Sequence, residues 1–217
     1  MNLEEHSASK KNPKNQVPHT WLLDTTQAMR KPGGRDLNDY KEFLGFDEKE
    51  LTGKTVLDLG SGSQEKFARG LREAGIEAKV ISLNPDYTIP KYRRIINRQE
   101  DWQKKSVAAV AQFLPFGNDS FDYILGLESI TMYEDALQKP LSAGAWSREI
   151  ARVLRPGGEA RLGEILGMGG EKQQKAWQKI IKILQDLGLE AKIEPFKIKD
   201  NSPNSRYRLI IRKPTVN

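Results

Sequence analysis

Cysteine is absent from this chain, so disulfides, iron–sulfur clusters and thiolate zinc sites are excluded. Histidine is almost absent: His6 and His19 are the only two, and both lie near the start. No residue cluster with metal-ligand spacing is visible, and no bound metal is expected. No apolar run approaches the length of a membrane span, and the N-terminus lacks the apolar segment of a signal peptide. A cytoplasmic chain without a membrane span is the expectation. Two nucleotide motifs are missing as well. Glu65 stands where G-x-G-x-x-G would place its third glycine, which disfavours NAD or FAD. No Gly-Lys-Ser or Gly-Lys-Thr follows Gly60 at the spacing of a phosphate-cradling loop.

The 217 residues can hold one α/β domain with a sizeable core. Charged residues at 29% and hydrophobic ones at 37% fit a soluble globular protein. The formal charge of +6 gathers in two places. Between Lys91 and Lys105 six basic residues face Glu100 and Asp101, and from Glu190 onward seven face three acids. Nucleic acid, anionic lipid or an acidic substrate would each suit such patches. The charges are scattered, however, and lack the aromatic interleaving of an RNA-binding surface. Solvated faces are the favoured reading.

The chain is organised around Thr55-Val-Leu-Asp-Leu-Gly-Ser-Gly-Ser63. Val56, Leu57 and Leu59 form a short apolar run bounded by glycines, which predicts a buried parallel strand entering a tight turn. From Ser63 to Ala74 the spacing predicts a helix, with Phe67, Leu71 and Ala74 on one face. Ser63 is its expected cap and Gly75 its C′ residue. A strand, a Gly-x-Gly turn and a helix make a ligand-binding corner, because glycine lets the backbone approach the ligand. Asp58, on the strand before that corner, suits a ligand with a positive amino or sulfonium group.

Around this corner the chain divides into an arm over 1–20, a helical cap over 21–50 and a main domain over 51–217. The arm is polar, basic and expected to be flexible. Trp21–Met29 and Asp36–Leu44 are the cap's predicted helices. Strand two is expected over Ala78–Leu83, a helix over Lys91–Lys105, strand three over Val107–Gln112 and strand four over Phe121–Leu127. A helix over Trp146–Leu154 leads through the turn Arg155-Pro-Gly-Gly158 into strand five, Glu159–Leu166. The helix Glu171–Leu187 and the alternating strands Ala191–Ile198 and Arg206–Arg212 complete the pattern.

Three stretches carry a resemblance to a known family. The corner Asp58-Leu-Gly-Ser-Gly62 resembles the first motif of the class I, Rossmann-like S-adenosylmethionine-dependent methyltransferases. Leu114-Pro-Phe, followed by Ser120-Phe-Asp122, is similar to the ubiquinone and menaquinone type, as is Ala151-Arg-Val-Leu-Arg-Pro-Gly-Gly158. The resemblance covers roughly Leu51 to Lys213. It implies a three-layer α/β sandwich whose seven-stranded sheet is mostly parallel, with an antiparallel C-terminal strand. It also implies that the N-terminal helices cover the cofactor.

The implied cofactor is S-adenosylmethionine, held by Asp58, Gly60, Ser61, Gly62, Asn84, Pro85, Ala111, Gln112 and Glu128. Three positions depart from the family pattern. Gln64 replaces a common glycine, Asn84 an acid for the ribose, and Val110 an acid for the adenine amino group; Asp86 is a substitute for the second. Methyl transfer is an in-line displacement that needs alignment and exclusion of water above all. Glu128 and Tyr133 are the weak candidates for a catalytic role, with Asp86 and Glu164 as further polar groups. His19 reaches the site only if the arm folds over it. The expected partner is a small-molecule methyl acceptor. Two alternatives stay open: a catalytically degenerate scaffold on the same fold, and a nucleic-acid methyltransferase.

Overall fold

The computed structural model describes residues 33–90, 105–130, 140–165, 168, 170–197 and 206–215. The expected arm, the Trp21–Met29 helix, all but the last residue of Lys91–Lys105, and Tyr133 lie outside these residues.

Asp36 starts the first described element, α1 (Leu37–Leu44), by accepting hydrogen bonds from the backbone N–H groups of Asn38 and Asp39. Asp39 reciprocates by accepting from the Asp36 N–H, closing a capping box. Gly45, at φ 67°, ends the helix in the left-handed conformation that glycine reaches without strain. A short 3-10 turn over Glu48–Leu51 then leads into β1 (Thr55–Leu59).

The remaining described helices and strands are α2 (Lys66–Glu73), β2 (Lys79–Leu83), β3 (Ser106–Val107), β4 (Phe121–Leu127), α3 (Pro140–Val153), β5 (Leu154–Ile165), α4 (Glu171–Asp186), β6 (Glu190–Phe196) and β7 (Arg206–Arg212), with a 3-10 turn at Pro85–Thr88 after β2. Seven strands form one sheet in the order β3-β2-β1-β4-β5-β7-β6. The pairs among β1 to β5 are parallel, whereas β7 runs antiparallel to both β5 and β6. This is the implied architecture.

Strand periodicity divides the core into two layers. Val56, Leu125 and Leu127 face α1 and α2, where Tyr40, Leu44, Phe67 and Leu71 pack. Leu57, Leu59 and Ile124 face α3 and α4, where Trp146, Ile150, Trp177, Ile180 and Leu184 are buried. Full burial of one such aliphatic side chain stabilises the fold by roughly 1.5–3 kcal/mol.

The second and third motifs are joined by hydrogen bonds. Arg155 donates to both oxygens of Asp122, at 3.0 and 2.9 Å, and Asp122 also accepts the Thr55 N–H at 2.7 Å. Arg152 donates to the carbonyls of Leu114 and Phe116, while Glu149 accepts the Leu114 N–H. Both motifs therefore act as staples between α3, β4 and the loop before β4.

Four expected boundaries are corrected. Strand three covers only Ser106–Val107, because the chain then turns and Val110 bridges back to Phe113. Helix α2 begins three residues late, since the Ser63 hydroxyl is taken up by Gly33. Helix α3 begins at Pro140, earlier than Trp146. The Arg155–Gly158 turn lies within β5 as a bulge between the pairs Phe121–Leu154 and Tyr123–Glu159.

Candidate functional site

The end of β1 sets the geometry of the corner. Gly60 and Gly62 adopt φ 85° and 69°, which a residue with a Cβ reaches only under strain. The Gly60 and Ser61 N–H groups both donate to the Leu83 carbonyl, at 2.8 and 3.2 Å, tying the turn to β2. Close packing adds a second need for glycine. A Cβ on Gly60 would lie 2.6 Å from that of Ser129, and one on Gly62 would lie 2.5 Å from the Gly33 carbonyl oxygen.

Above this turn, at the carboxyl ends of β1, β2 and β4, lies a cavity of about 530 Å³. That volume suits a small organic ligand. Gly60, Gly62 and Ser63 form its floor, and Asn84, Pro85 and Asp86 form the wall beyond β2. Val110, Ala111 and Gln112 close one end, and Glu128 and Ser129 close the β4 side. Gly33, Gly34 and Arg35 line the cavity from the N-terminal side.

Arg35 is the residue that the sequence reading missed. Its Nε donates to Glu128 Oε2 at 2.9 Å, and its Nη2 pairs with Glu128 Oε1. That bond is the main cause of a raised guanidinium pKa. The recognisable sign lay in Gly33-Gly34-Arg35, two small residues and a cation directly before a capping aspartate.

The expected site residues divide into two groups. Gly60, Gly62, Asn84, Pro85, Ala111, Gln112 and Glu128 meet on the cavity wall. Asn84 has a second task, since its side-chain oxygen accepts the Asp86 N–H at 2.9 Å and caps the 3-10 turn Pro85–Thr88. Glu164 is 4% exposed and pairs with Arg206 at the end of β5.

Asp58 and Ser61, also expected at the cofactor, do not line the cavity. Strand alternation turns Asp58 to the face of Val56, under α1, where it is fully buried. There its Oδ1 accepts the Tyr40 hydroxyl at 2.5 Å. Burial pushes the Asp58 carboxyl up to about 7, helped by nearby Glu65 and opposed by the Tyr40 bond. Ser61 is 2% exposed and bonds the Tyr87 hydroxyl at 2.7 Å, below the turn. Among the described residues no acid or histidine cluster is arranged to hold a metal, and no helix is long and apolar enough to cross a membrane.

Residues 57–162 match the family model Methyltransf_11, a methyltransferase domain. The chain is 31% identical over 117 residues to the methyltransferase GfsG of Streptomyces halstedii. It is 34% identical over 111 residues to the ubiquinone/menaquinone biosynthesis C-methyltransferase UbiE of Salmonella arizonae. These matches cover 54% and 49% of this chain, but only 40% of each relative's own length. Among solved structures, a SAM-dependent methyltransferase of Methanosarcina mazei superposes with a TM-score of 0.55 at 16% identity, over 84% of this chain and all of that one. The cyclase SpnF superposes at 0.52 and 15% identity, over 91% and 93% of the two chains. The shared fold thus accommodates more than one chemistry.

Proposed function

We propose that this chain is a class I S-adenosylmethionine-dependent methyltransferase that transfers a methyl group from that cofactor to a small-molecule acceptor, a reading supported by the methyltransferase-domain match over residues 57–162 and by the methyltransferase relatives. One observation carries the reading. The glycine turn, two carboxylates and one guanidinium converge on a single cavity at the carboxyl ends of the parallel strands.

The lining residues fit the cofactor group by group. Asp86 and the Asn84 amide stand at the tip of β2, where they suit ribose hydroxyls. Ala109, Val110 and Ala111 offer an apolar slot with backbone polar groups for the adenine. Glu128 suits the ammonium, and Arg35 suits the carboxylate in the bidentate manner of a guanidinium. When bound, S-adenosylmethionine supplies an electrophilic methyl group on a sulfonium.

The chain's own residues bind, orient and exclude water. Leu59, Leu83, Leu127 and Ile130 give the cavity apolar surface that favours a desolvated reaction centre. Of the acids near the strand ends, Glu128 is held by Arg35 and Glu164 by Arg206. A mechanism resting on alignment therefore suits this site better than one resting on a strong general base. The acceptor takes the methyl group and S-adenosylhomocysteine is the product.

A small-molecule acceptor is supported by the relative named for quinone biosynthesis and by the scattered basic charge. The test is release of S-adenosylhomocysteine during incubation with S-adenosylmethionine and either a small-metabolite extract or nucleic acid. Release with the extract alone is expected. Release only with nucleic acid, with a steep salt dependence of its binding, would overturn the acceptor class.

A further inference from the structure

Beneath the glycine turn lies a buried polar cluster that the proposed chemistry does not use. Tyr87, 5% exposed, places its hydroxyl 3.0 Å from the Gly62 carbonyl oxygen, 3.0 Å from Glu65 Oε1 and 2.7 Å from Ser61 Oγ. A phenol has one proton. Either hydroxyl of the Ser61–Tyr87 pair can donate; with Ser61 donating, the phenol proton goes to Gly62 or to Glu65.

Glu65 is an unusual partner. It is 1% exposed, sits at φ 47° just before α2, and caps no helix N–H with its side chain. Its carboxylate also accepts from Ser106 on β3. The Gly62–Ser63 peptide is held at its other end too, because the Ser63 N–H donates to the Gly33 carbonyl at 2.9 Å. That peptide forms part of the cavity floor, with Gly33 beside it.

We infer that Tyr87 and Glu65 are positioning residues for the cofactor turn, the Tyr87 O–H turning between the Glu65 carboxylate and the Gly62 carbonyl according to the charge on Glu65. With Glu65 ionised, the charge-assisted bond is the stronger one and draws the proton away from Gly62. With Glu65 neutral, its carboxyl carries its own proton and the Tyr87 proton turns to Gly62. The Gly62–Ser63 peptide is then fixed at both ends, and a pre-organised turn binds more tightly.

Burial raises the Glu65 pKa, while its bonds from Ser106, Tyr87 and Ser82 oppose that rise. The other titratable or charged groups around it are Asp58 on β1, Arg72 on α2 and Lys105 before β3, while Tyr40 on α1 bears on the cluster through Asp58 and Tyr87. Glu77 before β2 stands on the same neighbouring cavity wall.

The inference rests on the cofactor reading for its consequence, but its hydrogen-bond switch is measurable without ligand. The chain contains two Gly–Ser peptides, Gly60–Ser61 and Gly62–Ser63. Labelling glycine carbonyls with carbon-13 and serine with nitrogen-15 therefore leaves only the Gly60 and Gly62 carbonyls, and Ser63→Ala, which removes the second pair, assigns Gly62. On titration from alkaline to acid pH its resonance should move as Glu65 takes up its proton, and any part of the movement that follows the nearby Asp58 should remain in Glu65→Gln. Glu65→Gln and Tyr87→Phe should each abolish the part that follows Glu65. Should Tyr87→Phe fail to fold, Glu65→Gln decides alone.

A Gly62 resonance that does not move, or moves equally in Glu65→Gln, overturns the inference. The second arm is the affinity for S-adenosylhomocysteine, which lacks the sulfonium charge. It should be several-fold tighter at the acid end in the native protein and pH-independent in Glu65→Gln. A moving resonance with pH-independent affinity refutes the positioning role. A moving resonance with no binding at any pH refutes the cofactor reading instead.

Discussion

The Tyr40 hydroxyl meets Asp58 Oδ1 at 2.5 Å in a compartment closed to solvent between α1 and β1. The other oxygen, Asp58 Oδ2, has no hydrogen-bond partner among the described residues. A motif aspartate thus stands behind the cofactor turn, held to the N-terminal helix, and it is costly to ionise there. Burial is also the main reason that the Tyr40 phenol is pushed well above its usual range.

This arrangement makes stability depend on pH. The folded Asp58 carboxyl titrates at about 7, above its ordinary 3.8, so its contribution is complete below that ordinary value and is lost as pH rises through about 7. A tenfold change in proton affinity is about 1.4 kcal/mol, which bounds the effect at about 4 kcal/mol. Asp58→Asn should raise the thermal midpoint in mildly alkaline buffer and leave it nearly unchanged in acid. Cofactor affinity should change only a few-fold, because the side chain is not on the cavity wall. Thermal unfolding at both ends of the range and calorimetry check the two parts.

Gly60→Val should abolish cofactor binding. The new Cβ would lie 2.6 Å from that of Ser129, at a φ that valine resists. Gly62→Ala should weaken binding by a smaller factor, through displacement of Gly33 and Gly34. Equilibrium dialysis with S-adenosylmethionine would rank the variants; native affinity in Gly60→Val contradicts the site.

Arg35→Ala should leave stability within about 1 kcal/mol of native, because its pair with Glu128 is half-exposed. Its effect should fall on ligand. Affinity for S-adenosylmethionine and S-adenosylhomocysteine should drop by the same factor, roughly tenfold or more, since both carry the carboxylate. A loss confined to one ligand would place Arg35 elsewhere in the site.

Asn84→Asp should tighten cofactor binding several-fold. An aspartate keeps the cap on the Asp86 N–H that Asn84 provides, so the thermal midpoint should barely move. It adds the charge that suits two ribose hydroxyls. Unchanged affinity would show that residue 84 does not face the ribose.

Asp122→Ala serves as the contrast. It strands the Thr55 N–H and leaves Arg155 only its bond to the Asp119 carbonyl, and should cost about 1–3 kcal/mol of stability. Cofactor affinity should survive at temperatures where the variant is folded.

The centre of the sheet was legible because β1 and β4 are short, apolar and bounded by glycine or by turn chemistry. Phe121–Leu127 matched to the residue, and Gly75 ended its helix as expected. The errors arose where tertiary contacts override local pattern. Ser63 reads as a cap in sequence but bonds Gly33, thirty positions away. Val107–Gln112 has strand composition, yet the Val110–Phe113 bridge folds it back.

The cavity wall was legible where glycines and strand ends define it. Arg35 was hidden because its partner Glu128 is distant in sequence. Asp58 lies off the cavity wall for a subtler reason. Its motif was recognised, but Val56 and Asp58 share a strand face, and that face points to Tyr40.

The most direct measurement is a calorimetric titration of the folded protein with S-adenosylmethionine and, separately, with S-adenosylhomocysteine. Saturable one-to-one binding of both, lost in Gly60→Val, is the predicted result. No binding heat at millimolar ligand, with the protein shown to be folded, would contradict the cofactor site from which the methyl-transfer reading follows.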